Sequence, residues 1–308
     1  MKLATFQVDG AQHFGAIVGP NVVDFTSSAA VARFRALPHE MPLACLQALL
    51  EGGEAALDAA REVVSVADGA GPDASPDALV RDLGAVMLGP PLRPSQIIGV
   101  GRNYRDHARE AAINLPTMPR IFPKWRSTIV GEGEPILKPG LTSQLDWEAE
   151  MAVVIGKRAD RVAAEDALSY VAGYTLLNDV SARDIQFSKP EQLSLSKNFR
   201  SFTPLGGWIT TSDEIGDPGA VPIRSWVNNE LMQDSSTEHL IFDVPSLIAF
   251  ISRALPLEAG DIISTGTPGG TGAFREPPVY LTAGDRVRMA LGDWCTLSNP
   301  VADDAGWP

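Results

Sequence analysis

The chain has 308 residues, 44% of them hydrophobic and 20% charged, with a formal net charge of -13 and two cysteines. This length supplies one large domain or two unequal ones with ample core, and the acidity argues against a nucleic-acid partner, which needs a basic face. Cys45 and Cys295 are too few for a disulfide framework or a cysteine-based zinc site, and they suit a reducing compartment. Met1–Asp9 is broken by Thr5, Gln7 and Asp9, which reads as a strand and not a signal-peptide core. No uninterrupted apolar run reaches membrane-spanning length. A cytoplasmic protein with no membrane partner is expected.

In chain order, Lys2–Gln7 and His13–Val18 read as strands around the hairpin signal Asp9-Gly10, with Val22–Phe25 as a third. Helical stretches follow near Leu43–Leu50 and Glu54–Val66, and Ala67–Asp77 reads as a linker or exposed loop. Residues 1–89 are taken as a small α/β accessory domain without a cluster of chemistry-bearing groups. From residue 90 to 308 the texture changes. Ile97–Val100 is a strand leading into a loop and a helix around His107. Strands are expected at Ala152–Ile155, Tyr170–Leu177, Trp208–Thr211, Ile223–Val227, Ile262–Thr265 and Arg286–Ala290, and helices only at Ala163–Val171 and Val244–Leu255. This is a strand-dominated α+β domain and not a run of βαβ units.

The run Asp146–Ile155 reads as a buried strand that puts Glu148 and Glu150 on one face, because residues two apart in a strand point the same way. Neighbouring carboxylates in an apolar strand repel each other and resist desolvation. A hard divalent cation such as Mg²⁺, Mn²⁺ or Ca²⁺ relieves both costs. Alternating Glu also occurs on solvated strand faces, yet Ala152 and Val154 on one side and Trp147, Ala149, Met151 and Val153 on the other leave no face that looks solvated. Asp179, ending the apolar run Tyr170–Leu177, supplies a third carboxylate.

His107 and Glu110 lie three apart in the expected helix, the spacing at which a carboxylate orients an imidazole as a general base or meets it by chance on a surface. A helical turn after Asp179 would align Arg183 and Gln186 with it, either as anion and oxyanion donors or as an exposed ion-paired turn. Lys197, taken alone, reads as a solvated lysine. Asp261–Gly272 is a strand followed by a Gly-rich loop that matches neither nucleotide fingerprint. Its amides and the Thr265 and Thr267 hydroxyls could bind a carboxylate, or the segment is a structural turn. His13, His39 and His239 have no metal-ligand spacing and read as incidental.

Together, Gly99–Glu110, Leu145–Gly156, Gly173–Asp184, Lys197, Pro204–Gly206, Ile263–Pro268 and Pro277–Leu281 resemble the fumarylacetoacetate hydrolase family, in the bacterial branch with a small N-terminal domain. The resemblance spans about residues 90 to 302 in the family's order. It implies a mixed β-roll, a homodimer, and a Mg²⁺ or Mn²⁺ ion (Ca²⁺ as its stand-in in crystals) held by Glu148, Glu150 and Asp179. It also implies that His107 with Glu110 activates water on a lid, and that Lys197 joins Arg183 and Gln186 in binding and polarising oxo groups. By the same resemblance, Thr267 is similar to the threonine that holds a substrate carboxylate, and Tyr104 is grouped with the substrate contacts.

The activity so implied is metal-dependent hydrolysis of a carbon–carbon bond in a 2,4-dioxo acid of the acylpyruvate type. The alternative is an isomerase, tautomerase or decarboxylase of a 2-oxo diacid resembling oxaloacetate. A 2-oxo-alkenoate hydratase and a metal-binding scaffold rank lower. The small-molecule partner is an oxo acid in each enzymatic case. Ala108–Val130 is expected to be a mobile lid that sets selectivity, with Arg109, Arg120, Trp125 and Arg126 as its contacts.

Overall fold

The strand Ala149–Ile155 is buried on both faces, and the molecule is organised around it. Met151, Val153 and Ile155 face one apolar cluster, while Ala152 and Val154 face another. The computed structural model describes residues 1–35 and 44–306, so His39 and the start of the helical stretch expected from Leu43 lie outside the described residues.

The main sheet has eleven strands. Ala149–Ile155 pairs antiparallel with Val171–Asn178 on one side and with Ile262–Ser264 on the other. Ile262–Ser264 runs parallel to Ile97–Gly101, whose other neighbour is the edge strand Arg120–Lys124. An edge position explains how Pro123, which lacks a ladder donor, fits in a strand. Beyond Val171–Asn178 the sheet continues through Ile209–Thr211 into the N-terminal strands, with Lys2 opposite Thr210 and Leu3 opposite Ile209. The strands on either side of the residue 89/90 boundary thus lie in one sheet, and the second apolar cluster joins Leu3, Phe14 and Leu49 to Ala152, Val154 and Ile262.

A second sheet of five strands has the order Glu230–Ser236, Pro222–Val227, Arg286–Leu291, Cys295–Asp303, Ile136–Lys138. Among the described residues helices are few: the longest is Gly53–Ala67, and Val244–Ser252 packs beside the 3-10 turn Ala164–Tyr170. The architecture is the strand-rich mixed-sheet class anticipated, with no closed barrel among the described residues. No described helix is long and apolar enough to cross a membrane.

Three local expectations are corrected. The strand expected from Asp146 to Ile155 breaks at Trp147 and Glu148, because the Asp146 carboxylate accepts from the Trp147 N–H at 2.8 Å and Glu148 N–H turns to Asn178 Oδ1 at 3.0 Å. The segment expected as a lid is partly built into the main sheet, since Arg120–Lys124 pairs along the whole of Ile97–Gly101. His13 is not incidental: its Nδ1 lies 2.8 Å from Asp24 Oδ2 and 2.7 Å from Thr26 Oγ1, a network that also holds Arg81 to Asp24 at 2.8 Å.

Candidate metal centre

Glu148, Glu150 and Asp179 converge: one carboxylate oxygen from each lies within 4.8 Å of the others, and all three side chains are buried. They arrive from the break before Ala149–Ile155, from the strand itself, and from the end of Val171–Asn178, and Asp179 N–H donates to Glu148 O at 2.9 Å to tie the first of these segments to the last. They line a cavity of about 260 Å³ with His107, Arg183, Gln186, Lys197 and Thr267. Among the site residues read from the sequence, Glu110 and Tyr104 are not on that wall.

The charges around the trio are unequal. Burial works against a charged Glu148, but Lys197 and Arg183 outweigh it and bring its pKa to about 2. Glu150 goes the other way: burial, then Asp179, then Glu148 push it well above the ordinary carboxylate range. Its Oε2 accepts from Ser264 Oγ at 2.5 Å and Gly266 N–H at 3.0 Å. A buried carboxyl driven towards its proton by two like neighbours is the signature of a site suited to a cation. The donors are all oxygen, which selects a hard divalent ion.

Two lysines share Asp179. Lys197 Nζ bonds Asp179 Oδ2 at 2.6 Å and Glu148 Oε2 at 2.7 Å, while Lys124 Nζ bonds Asp179 Oδ1 at 2.5 Å and the carbonyls of Lys197 and Phe202 at 2.8 and 3.0 Å. Burial opposes the Lys197 charge, but Asp179 and Glu148 more than compensate and raise its pKa. For Lys124 burial prevails and the pKa falls. Lys197 is therefore not a solvated lysine. Its ammonium lies on the carboxylate trio, above the Phe122 ring at 5.4 Å. Gly99 makes that floor possible, since a Cβ there would sit 2.4 Å from the Phe122 ring. Lys124, which sequence reading passed over, could have been found by its spacing: Phe122 and Lys124 alternate onto one face of an apolar strand.

Arg183 reaches Asp146 Oδ2 at 2.8 Å, Glu148 Oε1 at 2.7 Å and Gln186 Oε1 at 2.8 Å. Arg183 and Gln186 do share a helical turn, Arg183–Gln186, but Asp179 lies outside it because Ser181–Ala182 first pairs with Leu145–Asp146. Asp146 is the anchor that sequence reading missed, with Oδ1 accepting from Gly272 N–H at 2.7 Å and Oδ2 from Ala273 N–H at 3.0 Å.

The Gly-rich loop does bind carboxylates, and they are the protein's own. Gly266 serves Glu150, Gly270 N–H lies 3.0 Å from Glu110 Oε1, and Gly272 serves Asp146. Gly266 has φ +99°, and a Cβ there would sit 2.9 Å from Val100 O, so the loop needs glycine to approach so closely. The Thr265 and Thr267 hydroxyls donate to the Met151 and Ala149 carbonyls at 2.9 and 3.0 Å, and Thr267 Oγ1 accepts from Gln233 Nε2 at 2.8 Å.

His107 Nδ1 stands 3.5 Å from Glu110 Oε2, with the imidazole edge-on to Phe274 at 5.3 Å between centroids. Tyr104 is placed differently from its expected role: it is fully buried in the main apolar cluster, its hydroxyl has no hydrogen-bond partner among the described residues, and burial and the nearby Glu150 raise its pKa. Arg109, Trp125 and Arg126 lie on the exterior and away from the cavity wall, whereas Arg120 lines it.

Comparison with known proteins places this arrangement. The chain is 40% identical to the mitochondrial oxaloacetate tautomerase of Xenopus laevis over 285 residues, 92% of this chain and 83% of that one. It superposes on fumarylacetoacetate hydrolase from Exiguobacterium antarcticum with a TM-score of 0.78 and 32% identity, covering 98% of this chain and 99% of the other. It also superposes on maleylpyruvate hydrolase from Sphingobium sp. SYK-6, solved with manganese(II) and pyruvate, with a TM-score of 0.76 and 29% identity over 98% and 99% of the two chains. Residues 96–302 match the family model described as fumarylacetoacetate hydrolase C-terminal, and the chain belongs to that family of enzymes.

Proposed function

We propose that the protein is a tautomerase of a 2-oxo diacid of the oxaloacetate kind, with Mg²⁺ or Mn²⁺ held by Glu148, Glu150 and Asp179. Support comes from its likeness to an oxaloacetate tautomerase across nearly the whole chain. This ranks above the carbon–carbon hydrolysis that the sequence suggested first. The bound ion supplies Lewis-acid polarisation of the oxo group. The remaining work falls to side chains of this protein.

His107 Nδ1 faces Glu110, so Nε2 is the atom that exchanges the proton. It takes one from the carbon next to the oxo group, and return of a proton to the oxo oxygen gives the enol; the reverse sequence gives the ketone. Glu110 keeps the imidazole oriented and is itself fixed by the Gly270 N–H. Lys197 and Arg183 hold the carboxylates in place and add positive charge to the inner wall. Hydrolysis of an acylpyruvate is the second reading, favoured by the likeness to maleylpyruvate hydrolase, and it would use His107 on water.

The deciding experiment follows oxaloacetate and acetylpyruvate by NMR with purified protein, in Mg²⁺ or in chelator. The proposal expects Mg²⁺-dependent acceleration of enol–ketone exchange without pyruvate release, lowered about a hundredfold or more in His107→Asn. Cleavage of acetylpyruvate with no effect on oxaloacetate exchange would reverse the ranking.

A further inference from the structure

The edge strand Arg120–Lys124 runs from the cavity rim to its floor. Alternation puts Arg120, Phe122 and Lys124 on one face. Lys124 is buried against Asp179, Phe122 is buried beneath Lys197, and Arg120 lines the cavity with its side chain 41% exposed. Four residues of strand separate the α-carbons of Arg120 and Lys124 by about 13 Å.

A second arginine stands at the rim. Gly101 pairs directly with Arg120 across the strands, and a Cβ on Gly101 would lie 3.9 Å from Arg120 Cδ, so the Arg120 stem crosses over Gly101. The next residue, Arg102, also lines the cavity and is held at φ 59°, a region that non-glycine residues seldom occupy. Arg102 has no hydrogen-bond or ion-pair partner among the described residues. The Arg120 guanidinium has one ion-pair contact among the described residues, Nη2 to Glu191 Oε2 at 3.8 Å, too long for a hydrogen bond and between exposed groups. The inner cations differ, since Arg183 and Lys197 are already bonded to Asp146, Glu148 and Asp179.

We infer that Arg102 and Arg120 form a receptor for a second carboxylate, so that the site selects dianionic 2-oxo acids over those with an uncharged tail. The inference rests on the proposed oxo-acid chemistry for the inner end only, and concerns the outer end. Two guanidinium groups against the single carboxylate of Glu191 leave net positive charge at the rim. In a chain of net charge -13, attraction for a dianion has to be local. The planar fork of arginine suits a carboxylate tail.

The test is calorimetric binding to the Mg²⁺-loaded protein, which needs no turnover. The probes are 2-oxoglutarate and 2-oxo-5-methylhexanoate, which carries an isopropyl group where the first carries its distal carboxylate. The wild type should prefer the dianion by about tenfold or more, and the preference should shrink as salt rises. Arg102→Gln and Arg120→Gln should each lose most of it while binding the isopropyl compound as before, Arg120→Lys should keep part, and Glu191→Gln should increase it. Equal affinity of the wild type for the two probes, or a preference that survives in the double Gln variant, would overturn the inference. An intact preference in a protein inactive on oxaloacetate would instead sink the tautomerase reading and leave the receptor standing.

Discussion

Lys197 Nζ donates to Asp179 Oδ2 at 2.6 Å, and the same ammonium reaches Glu148 Oε2 at 2.7 Å. One side-chain cation thus bonds two of the three carboxylates that a divalent ion would share. Two unit charges of one sign 4 Å apart repel by roughly 4 kcal/mol at an effective dielectric constant of 20, and a dication doubles that, so Lys197 and an ion at this place oppose each other. Lys197→Met is expected to tighten Mg²⁺ binding by about tenfold or more, read by calorimetry, while lowering the melting temperature of the ion-free protein. Unchanged or weaker Mg²⁺ affinity would contradict the placement.

The trio should respond unequally to loss of charge. Asp179→Asn removes the carboxylate partner of the buried Lys124 ammonium and one of the two that hold Lys197, and should destabilise the fold by about 3–5 kcal/mol. Glu150→Gln removes a carboxylate that its neighbours already force towards the neutral form. It should leave the ion-free protein as stable as the wild type or more so, yet abolish stabilisation by Mg²⁺. Denaturant titrations with and without the ion separate the two cases.

Acidity gives a third check. Burial and the charges of Asp179 and Glu148 raise the Glu150 pKa above its ordinary 4.5. The stability contributed by that proton is fully present below 4.5 and is lost as pH climbs through the raised value. A dication must displace the same proton, so the rise in melting temperature caused by Mg²⁺ should grow across that window and then level off. A stabilisation independent of pH from 4.5 upward would refute the assignment.

Gln233 offers a test remote from the charges. Its amide is buried between the two sheets: Oε1 accepts from Ala149 N–H at 3.1 Å and Ser225 Oγ at 2.8 Å, and Nε2 donates to Thr267 Oγ1 at 2.8 Å and Pro268 O at 2.9 Å. Gln233→Leu keeps the volume and removes every bond. The orphaned groups should cost about 3 kcal/mol or more in denaturant unfolding. A cost under about 1 kcal/mol would mean that the loop after Ile262–Ser264 is held by other means.

The carboxylate trio was readable because its signal is local: acids in strands whose neighbours are apolar on both faces. The strands at Val171–Asn178, Pro222–Val227 and Arg286–Leu291 were readable within a residue or two for the same reason. Arg120–Lys124 was hidden by its proline, which signals a loop unless the strand is known to be an edge. Asp146 and Gln233 were hidden because the loop groups they hold, Gly272 and Thr267, lie 126 and 34 residues away, in segments joined only by the sheet order. Tyr104 went astray for a related reason: proximity in sequence to His107 says nothing about which side of the backbone faces the core.

The same edge strand has a bearing on how relatives of this protein could diverge. Arg120, Phe122 and Lys124 sit at two-residue steps on a rigid ladder, so the span from ion to rim is graduated in units of the pleat. Moving the outer guanidinium by one step would leave the interior untouched and recalibrate the chain length that fits, while a one-residue insertion would turn it away from the opening altogether. Substrate range in such a scaffold changes in discrete jumps.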